Sequence, residues 1–521
     1  MPRLTPHPHS RSQPKPALRA LCASVLIASQ VLLPVPALAQ IQQVLPGMGD
    51  GGEMTASAER HLGDQIAREL YRDTDYIDDP VIAAYVQDIW QRLLVAARAR
   101  GELTPELDER FAWTILLGRD RNINAFALPG GYLGLNLGLV AVVGSRDELA
   151  TVLGHELSHV TQRHISRIMT KQGRQMPLMI AGLILGMIAA GKSRNGDAGQ
   201  AMIMGSQAMF AQNQLNFSRD MEREADRIGF GVMTQAGFAP QGAATMFEKL
   251  QYASRLNDNG SYPYLRSHPL TTERISDMQG RFQFNMDTVP PQPLAMDHAM
   301  IAARARVLTR PGVDVLRLWV DSASSGEFAK SSPAQQAGTL YAAALSAKEM
   351  RNYKAARALV ERLVARTADD PAAAKQARWL NAEIELAAGG APKAAALLDA
   401  SSKERPEMLL AAEAATAMRQ PAPMIPVLRD WVAANPRDAT VWRALGNLYG
   451  AQNDTLRAVR ADAEANVAIL DYPAARDRFK AAQELIRQSK VVDHYEASII
   501  DTRARAVEVL VKEQAAEPPL K

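Results

Sequence analysis

The chain is poor in cysteine, aromatic residues and histidine for its length of 521 residues. Its single cysteine, Cys22, lies in an N-terminal apolar stretch that we expect to be removed, so the folded protein has no thiol and no disulfide. Structural zinc sites normally use four protein ligands, commonly cysteines, and that class of site is therefore disfavoured. Aromatic residues make up only 6% of the chain, which favours many thin helices packed closely together.

Two further absences limit the class of function. Lysine and arginine number 59 against 56 aspartates and glutamates, and no long basic run is present, so the charge pattern gives no support for a nucleic-acid partner. The first apolar run, residues 20–33, is shorter than the ~20 residues that a membrane-spanning helix needs. With 47% hydrophobic and 22% charged residues, the composition is that of a globular protein, and the length predicts two or three domains.

The N-terminus has the pattern of a signal peptide. A basic region precedes the apolar run, and an A-x-A cleavage site follows it at residues 37–39. We predict a signal peptide over 1–39, a mature chain that begins near Gln40, and a flexible leader over 40–57. A signal of this kind fits export to the bacterial periplasm, and association with the outer membrane is an open alternative.

The most specific motif is H-E-x-x-H, formed by His155, Glu156 and His159. Positions four apart share one face of a helix, so both imidazoles can bind one metal ion, and we predict one zinc ion per chain. Glu156 lies beside the first ligand, where its carboxylate can take a proton from the attacking water. Ser145 and Glu148 predict a capping box at the start of this helix. The pattern is typical of a zinc hydrolase.

A second helix, predicted over residues 216–229, carries three carboxylates close together. Glu222 and Asp226 share a face, whereas Glu224 points elsewhere. A catalytic zinc site needs a third protein ligand, for which Glu222 is the candidate, and Asp226 can orient a ligating histidine from outside the coordination sphere. The spacing alone fits a solvated acidic turn equally well.

Strand-like segments precede the motif helix. Residues 111–117 have β-like composition, and a Pro-Gly-Gly break at 129–131 separates two further strands. These strands fit either an ordinary buried hairpin or a sheet edge that takes an extended peptide by strand addition. The apolar run at 176–190 is too short to span a membrane comfortably and predicts a buried or groove-covering helix, with peripheral contact to a membrane or to substrate as the alternative.

In combination these motifs resemble peptidase family M48, over roughly residues 58–284. The resemblance is carried by the H-E-L-x-H motif with Arg163-His164 after it, the S-R-x-x-E-x-x-A-D run at 218–226, Asn124-Ala-Phe126, and His268-Pro269-Leu270 with Arg274-Ile275.

The resemblance implies a fold and roles for individual residues. It implies an α+β zincin-type metallopeptidase domain with a small β-sheet, in which Glu222 is the third zinc ligand. It also implies that Asn124 and His268 lie at the active site and assist the oxyanion. Two functional roles stay open for His268, an oxyanion donor or a fourth zinc ligand that substrate must displace. A loop histidine bonded to a backbone carbonyl is the third alternative.

The C-terminal half is Ala-rich and predicted to be helical. Trp442-x-x-Leu445-Gly446-x-x-Tyr449 matches the tetratricopeptide pattern, and Tyr353 and Tyr472 begin similar, degenerate corners. A generic helical bundle is the alternative. Arrays of such repeats present a concave binding face and rarely carry chemistry themselves.

We therefore predict a mainly α protein of two domains: a zinc metallopeptidase domain over 58–286, a Pro-containing linker over 287–300, and an all-α, tetratricopeptide-like (TPR-like) repeat domain over 301–515. Exported M48 peptidases of this organisation act in outer-membrane protein assembly and quality control. The resemblance thus implies misfolded or stalled protein substrates, and outer-membrane proteins and their assembly machinery as partners of the repeats. The rival is a chaperone or assembly factor whose main role is binding, with gated proteolysis.

Overall fold

The computed structural model describes residues 54–172, 219–255, 263–283, 294–490 and 493–517. Four predicted segments lie wholly or mostly outside these residues: the signal peptide at 1–39, the leader at 40–57, the apolar run at 176–190, and the proline cluster of the linker at 287–293. Among the helices that are described, none is at once long enough and apolar enough to cross a membrane.

The N-terminal part of the described chain combines helices with a small sheet. Its elements are α1 (Ala56–Arg72), β1 (Tyr76–Ile77), α2 (Pro80–Ala99), α3 (Pro105–Arg110), β2 (Thr114–Gly118), β3 (Ala125–Leu128), β4 (Tyr132–Asn136), α4 (Leu137–Val142), α5 (Arg146–Thr161), α6 (His164–Gln172), α7 (Arg219–Gln235), α8 (Gln241–Arg255), α9 (Tyr264–Ser267) and α10 (Thr272–Gln283).

The four strands form one sheet in the order β1-β2-β4-β3. β1 runs antiparallel to β2, β2 runs parallel to β4, and β3 pairs with β4 as an antiparallel hairpin that leaves β3 at the edge. The strands therefore form the hairpin of the first alternative, and the addition of an extended peptide to β3 stays a prediction. A 3₁₀ turn at Pro129–Gly131 separates β3 from β4, with φ values of 71° and 84° at Gly130 and Gly131. A Cβ on Gly130 would lie 2.6 Å from the Arg60 Cα, so only glycine fits beneath α1.

The sheet packs a different helix on each face, because successive side chains of a strand point to opposite sides. Ala125 and Ala127 belong to the same core cluster as Leu153 of α5. Leu128 and Tyr132 belong instead to the cluster that contains Ile66 of α1. The edge strand β3 is thereby held between α1 and the helix that carries the H-E-x-x-H motif.

The start of α5 corrects one prediction from the sequence. Ser145 caps the helix, since its hydroxyl accepts the Glu148 N–H at 3.1 Å. The Glu148 carboxylate does not return to the Ser145 backbone, however. It accepts the Gly144 N–H and pairs with Lys249 Nζ at 2.6 Å. Lys249 of α8 supplies a charge that local sequence does not reveal, so only half of the capping box forms.

Regular structure after Leu294 is helical throughout the described residues, as predicted. Its helices are α11 (Met296–Leu308), α12 (Val313–Ser322), α13 (Gly326–Lys330), α14 (Pro333–Glu349), α15 (Tyr353–Thr367), α16 (Pro371–Ala387), α17 (Ala391–Ala396), α18 (Arg405–Ala417), α19 (Met424–Ala434), α20 (Ala439–Ala451), α21 (Thr455–Ala468), α22 (Tyr472–Gln488) and α23 (His494–Ala515).

The helix that carries Trp442 shows the close pairing that the repeat pattern requires. α20 packs along α21, and a Cβ on Gly446 would touch the Ala458 carbonyl oxygen at 3.4 Å and the Ala461 Cβ at 3.5 Å. Tyr353 and Tyr472, which begin the degenerate corners, are the first residues of α15 and α22. α11 begins at Met296, inside the range predicted as linker, and packs on both α4 and α14.

A buried ion pair fixes the helical array to the N-terminal part. Asp79 caps α2 by accepting the Ile82 N–H at 2.9 Å, and both its carboxylate oxygens accept from Arg304 of α11 at 2.7 Å. Burial raises the pKa of Asp79, but the Arg304 guanidinium outweighs it and holds this pKa below its ordinary value. Arg304 also donates to the Tyr341 hydroxyl and to Glu383. Removing either partner would leave a buried charge unpaired.

Further contacts join the helical array and the N-terminal part at other places along the chain. Arg405 of α18 pairs with Asp78, the residue before Asp79. His298 of α11, which belongs to no motif, lies between the Tyr85 hydroxyl at 2.7 Å and the Val143 carbonyl oxygen at 2.9 Å. At the end of the described chain, Glu517 accepts two hydrogen bonds from Arg68 of α1. The array is therefore packed against the N-terminal part from its first helix to its last.

We expect Arg304→Ala to lower the free energy of unfolding by about 3–5 kcal/mol, the range for breaking a buried ion pair by removing one partner. Because Asp79 has a folded-state pKa below its unfolded value, its contribution is complete well above pH ~4 and is lost as the pH falls through the folded-state pKa. Denaturant unfolding followed at neutral and acidic pH measures both effects.

The matched control for this prediction is Arg317→Ala, because Arg317 pairs with Asp314 on the surface of α12 and its side chain is 68% exposed. Its unfolding free energy should change by less than about 0.5 kcal/mol. Equal stabilities of the two variants at neutral pH would contradict a stabilising role for the Asp79–Arg304 pair.

Candidate metal centre

Four side chains from three separate segments converge on one point. His155 and His159 come from α5, Glu222 from α7, and His268 from the residue after α9. One ligand atom from each lies within 4.8 Å of the others, and all four residues are buried. The structure thus brings together the two motif histidines, the carboxylate chosen as third ligand, and the histidine of the His-Pro motif.

The two helices that carry most of this group cross with their backbones almost in contact. Gly154 of α5 and Gly229 of α7 face each other at the crossing. A Cβ on Gly229 would lie 2.9 Å from the Gly154 carbonyl oxygen and from the His155 nitrogen, closer than side chains are found. Glycine at this crossing lets the carboxylates of α7 reach the histidines of α5.

His155 is oriented by the carboxylate that the sequence proposed for this purpose. Its Nε2 faces the ligand group, and its Nδ1 lies 2.9 Å from Asp226 Oδ1. Asp226 accepts two further hydrogen bonds from Arg274 of α10, at 2.7 and 2.8 Å. Burial lowers the pKa of His155, but Asp226 and Glu222 outweigh it and raise that pKa to about 10. The two carboxylates therefore stabilise a positive charge at this buried position.

His159 is oriented by residues that the sequence did not single out for this role. Its Nδ1 lies 2.8 Å from Nδ1 of His164, and Nε2 of His164 lies 3.1 Å from Glu224 Oε2. Burial lowers the pKa of His164 to about 4, so it is neutral at physiological pH. His164 then carries its proton on Nε2, donates it to Glu224, and accepts the Nδ1–H of His159. This tautomer leaves Nε2 of His159 as a lone-pair donor.

Glu156 has one carboxylate oxygen in use and one directed at the ligand group. Oε2 accepts the Ala127 N–H of β3 at 2.9 Å. Oε1 is buried, has no hydrogen bond from any described residue, and faces His268 Nε2 at 3.4 Å. Burial also raises the pKa of Glu156, which favours proton uptake by this carboxylate. The edge strand therefore fixes the orientation of the candidate general base.

His268 is in the ligand group itself. Its Nδ1 lies 3.0 Å from Glu222 Oε1 and 3.3 Å from His155 Nε2. The residue is 2% exposed and its ring stacks on that of Tyr264 at 4.7 Å between centroids. This placement puts the His268 ring among the candidate ligands, and its role there stays a prediction.

Asn124 is placed differently from the other predicted site residues. It precedes β3 and lines a cavity of about 90 Å³ with Phe126 and Pro263. Asn124 and Phe126 alternate along the strand with Ala125 and Ala127, so they point to the face opposite α5. None of the contacts described for the ligand group includes Asn124, and its role at the oxyanion stays a prediction.

Arg274 is part of the motifs that carry the family resemblance, and its role at the centre was not predicted from the sequence. Besides binding Asp226, its Nη1 lies 2.8 Å from Glu222 Oε2, and the residue is buried. Arg274 therefore neutralises Glu222 and Asp226, two of the carboxylates of α7, from one position. Two carboxylates that are buried beside a pair of histidines need a cation nearby to offset their charge. This requirement was the signal in the sequence that could have pointed to a buried arginine.

The donor set fits a divalent metal ion. Nε2 of His155 and Nε2 of His159 lie 2.9 Å apart. The Nδ1 atom of each ring has a different partner, Asp226 for His155 and His164 for His159. Two imidazole nitrogens and a carboxylate oxygen are the ligands of open catalytic zinc sites. These residues could thus hold an ion, and Glu156 Oε1 is directed at the same group of side chains.

Comparison with known proteins agrees with this geometry. The model of peptidase family M48 matches residues 82–282. The beta-barrel assembly-enhancing protease of Escherichia coli (strain K12) is 30% identical over 85% of this chain and 88% of its own length, and the protein of that name from Yersinia pestis is 30% identical over 84% and 89%. A Vibrio cholerae protein named "Putative beta-barrel assembly-enhancing protease" is 36% identical over 54% of this chain and 55% of its own length.

We expect His164→Ala to weaken metal binding about 10–100-fold, because His159 loses the group that fixes its tautomer and ring orientation. His494→Ala is the matched control, since His494 is exposed on the first turn of α23. Competition with a chelator of known affinity measures the change. An unaltered affinity in His164→Ala would contradict an orienting role for this histidine.

Proposed function

This chain belongs to peptidase family M48, together with the beta-barrel assembly-enhancing proteases, and on that premise we propose that it is an exported zinc endopeptidase of outer-membrane protein assembly. The observation that carries the proposal is the convergence of His155, His159 and Glu222 beside Glu156. Zinc fits this donor set better than magnesium or calcium, which prefer oxygen ligands. The periplasm is the compartment that the predicted signal peptide supports.

In the proposed mechanism, His155, His159 and Glu222 hold the ion and Glu156 moves the proton. A bound zinc ion supplies Lewis acidity, which polarises the scissile carbonyl and makes water a better nucleophile at neutral pH. Glu156 Oε1 accepts the proton of the attacking water and later delivers it to the leaving amine. The Ala127 N–H keeps Oε2 occupied, so Oε1 is the oxygen that serves both transfers.

The edge strand is the proposed site for the substrate backbone. Among the strands of the described residues, β3 pairs only with β4, and it passes directly beside Glu156. An extended peptide that pairs with this edge places its carbonyl groups at a fixed distance from the ligand group. Strand addition recognises backbone rather than side chains, which suits an enzyme that acts on unfolded segments of many proteins.

For His268 we favour the role of fourth ligand that substrate must displace. Its Nδ1 lies as close to Glu222 and His155 as the other ligand atoms do, and the residue is buried. A hydrogen-bond donor to the oxyanion would lie farther from the ligand group, because the substrate carbonyl would have to fit between them. A protease closed in this way spares folded and folding clients. The same feature favours the rival function, an assembly factor that binds clients and cleaves only when it is opened.

We expect Glu156→Gln to retain zinc and to lower peptide hydrolysis by about 10²–10⁴-fold, the usual contribution of general acid–base catalysis. Glu222→Ala should lose the metal as well as the activity. Elemental analysis and cleavage of a quenched fluorescent peptide separate the two effects. Glu248→Gln, an exposed glutamate of α8, is the control. Full zinc occupancy in Glu222→Ala would place the third ligand elsewhere.

We expect His268→Ala to raise basal peptide cleavage and self-digestion, because the position it covers becomes open to water and substrate. A donor to the oxyanion would give the opposite result, a fall in kcat of ~10²–10³. Cleavage of a short peptide and the rate of autolysis by the purified protein distinguish the two. A lowered kcat would overturn the proposed blocking role and leave His268 as a donor.

The helical array is the proposed binding surface for clients and for the assembly machinery. Its inner side and the first turn of α2 enclose a cavity of about 830 Å³. Lys348, Glu383 and Glu413 supply charged groups in its lining, and Leu386 and Leu409 supply apolar ones. A mixed lining of this kind fits a polypeptide segment. Truncation at residue 300 would cut α11, so substitution in the cavity is the sharper test of recruitment.

We expect Ala417→Trp, which places a large side chain in the cavity, to abolish complementation of a deletion strain while zinc content and peptide cleavage stay normal. Ala372→Trp is the matched control, because Ala372 is equally exposed but lies on the first turn of α16 outside the cavity. Full complementation by Ala417→Trp would show that this cavity does not recruit the partner.

A further inference from the structure

The motif helix α5 ends in a backbone conformation that favours glycine, yet an arginine occupies it. Arg163 has a φ of 52°, in the left-handed region. A Cβ is disfavoured there, and helices that end in this way usually place glycine at the position. The Arg163 N–H donates to the Val160 carbonyl at the end of α5, and its own carbonyl accepts the Arg167 N–H of α6. Arg163 therefore sets the angle at which α6 leaves the motif helix.

The Arg163 side chain turns back to α1. Its Nε donates to Glu59 Oε2 at 2.9 Å, and its Nη2 donates to the Met54 carbonyl and to Ser166 Oγ. Glu59 is 2% exposed, and its carboxylate also receives a backbone hydrogen bond from Gly130. A buried carboxylate needs a cation nearby to offset its charge. This ion pair therefore anchors the turn after α5 to α1, which a glycine at the same position could not do.

The residue that follows Arg163 is the one that orients the second motif histidine. His164 begins α6, and its ring lies edge-on to the His159 ring, with 4.9 Å between the centroids and an interplanar angle of 75°. The Nδ1 atoms of the two rings are 2.8 Å apart. Because hydrogen bonds weaken steeply with distance and angle, a change in the turn at Arg163 would weaken this contact.

We propose that Arg163 is a positioning residue of the metal centre, whose side chain ties the turn after the motif helix to Glu59 and so holds His164 against His159. The proposal rests on the proposed function, in which His159 is a metal ligand. A sparsely populated backbone conformation persists only where the surrounding structure determines it, and such conformations cluster at functional sites. Here α1 determines it, so the first described helix becomes part of the support of the metal ligands.

A second arginine has the same turn without the anchor. Arg419 follows α18 with a φ of 57°, and its N–H donates to the carbonyl three residues earlier, that of Thr416, as the Arg163 N–H does. Arg419 is exposed, and its side chain has no ion pair with any described residue. The two backbones are alike and only the partners of the side chains differ. Glycine substitutions at both positions therefore separate the role of the backbone from that of the side chain.

The first test measures zinc affinity of the full mature chain by competition with a chelator of known affinity. Arg163→Gly relieves the backbone and removes the anchor, and it should weaken binding about 10-fold, the lower end of the range for residues that orient a ligand from outside the coordination sphere. Glu59→Gln keeps the shape of the buried side chain and should also weaken binding, which keeps the test valid if Arg163→Gly folds poorly. The controls Arg419→Gly and Glu69→Gln, the latter at an exposed residue of α1, should leave the affinity unchanged.

The second test asks whether Arg163 acts through His164. In a double-mutant cycle, Arg163→Gly should have little further effect on zinc affinity once His164→Ala is present, whereas a general loss of stability would add to it. The visible spectrum of the Co²⁺-loaded protein gives a readout that does not depend on activity. Arg163→Gly should shift this spectrum in the same direction as His164→Ala, and Arg419→Gly should not shift it.

The outcomes distinguish this inference from the proposed function. If His159→Ala binds zinc with full affinity, the ligand assignment fails and the positioning role fails with it. If His159→Ala loses the metal but Arg163→Gly and Glu59→Gln alter neither affinity nor spectrum, only the positioning role is wrong. Losses of affinity that add in the double variant would also overturn it, because Arg163 would then act through the general stability of the fold.

Discussion

The metal centre depends on the contact between the backbones of α5 and α7 at Gly154 and Gly229. Side chains at either position would separate the helices, since an added Cβ on Gly229 would meet the facing backbone at 2.9 Å. Glu222 and Asp226 could then no longer reach the ring nitrogens of His155, because hydrogen bonds weaken steeply with distance and angle. The H-E-x-x-H spacing provides two candidate ligands on one face, and the glycine crossing brings the candidate third ligand, Glu222, within reach of them.

The sequence predicted the parts of the centre that are periodic or local. His155 and His159 follow from helical spacing, Asp226 follows from its spacing to Glu222, and the mainly α architecture follows from hydrophobic periodicity. The partners that orient these ligands come from distant segments. His164, Glu224 and Arg274 were visible as residues, but nothing in their spacing shows that one binds the next.

One error of prediction has the same physical origin. Glu148 caps only half of the predicted box, because Lys249 offers its carboxylate a stronger, charged partner from another helix. Asn124 precedes β3, and the alternation of side chains along a strand turns it to the face opposite α5, so its role at the oxyanion stays a prediction. A local sequence pattern shows which neighbouring groups can bond to a polar side chain. The folded structure brings in further partners from distant segments, and the local pattern does not reveal them.

The contacts between the array and the N-terminal part constrain how the two act together. Asp78 and Asp79 are consecutive, but one pairs with Arg405 of α18 and the other with Arg304 of α11. Both lie at the start of α2, whose Ile89 and Trp90 share a hydrophobic core with Leu153 and Leu157 of the motif helix. A client that bound in the array, as proposed, would therefore be held at a fixed place relative to the edge strand. Its delivery to the metal centre would then depend on how much unfolded chain extends from the cavity, because these contacts leave no flexible linkage between the two parts.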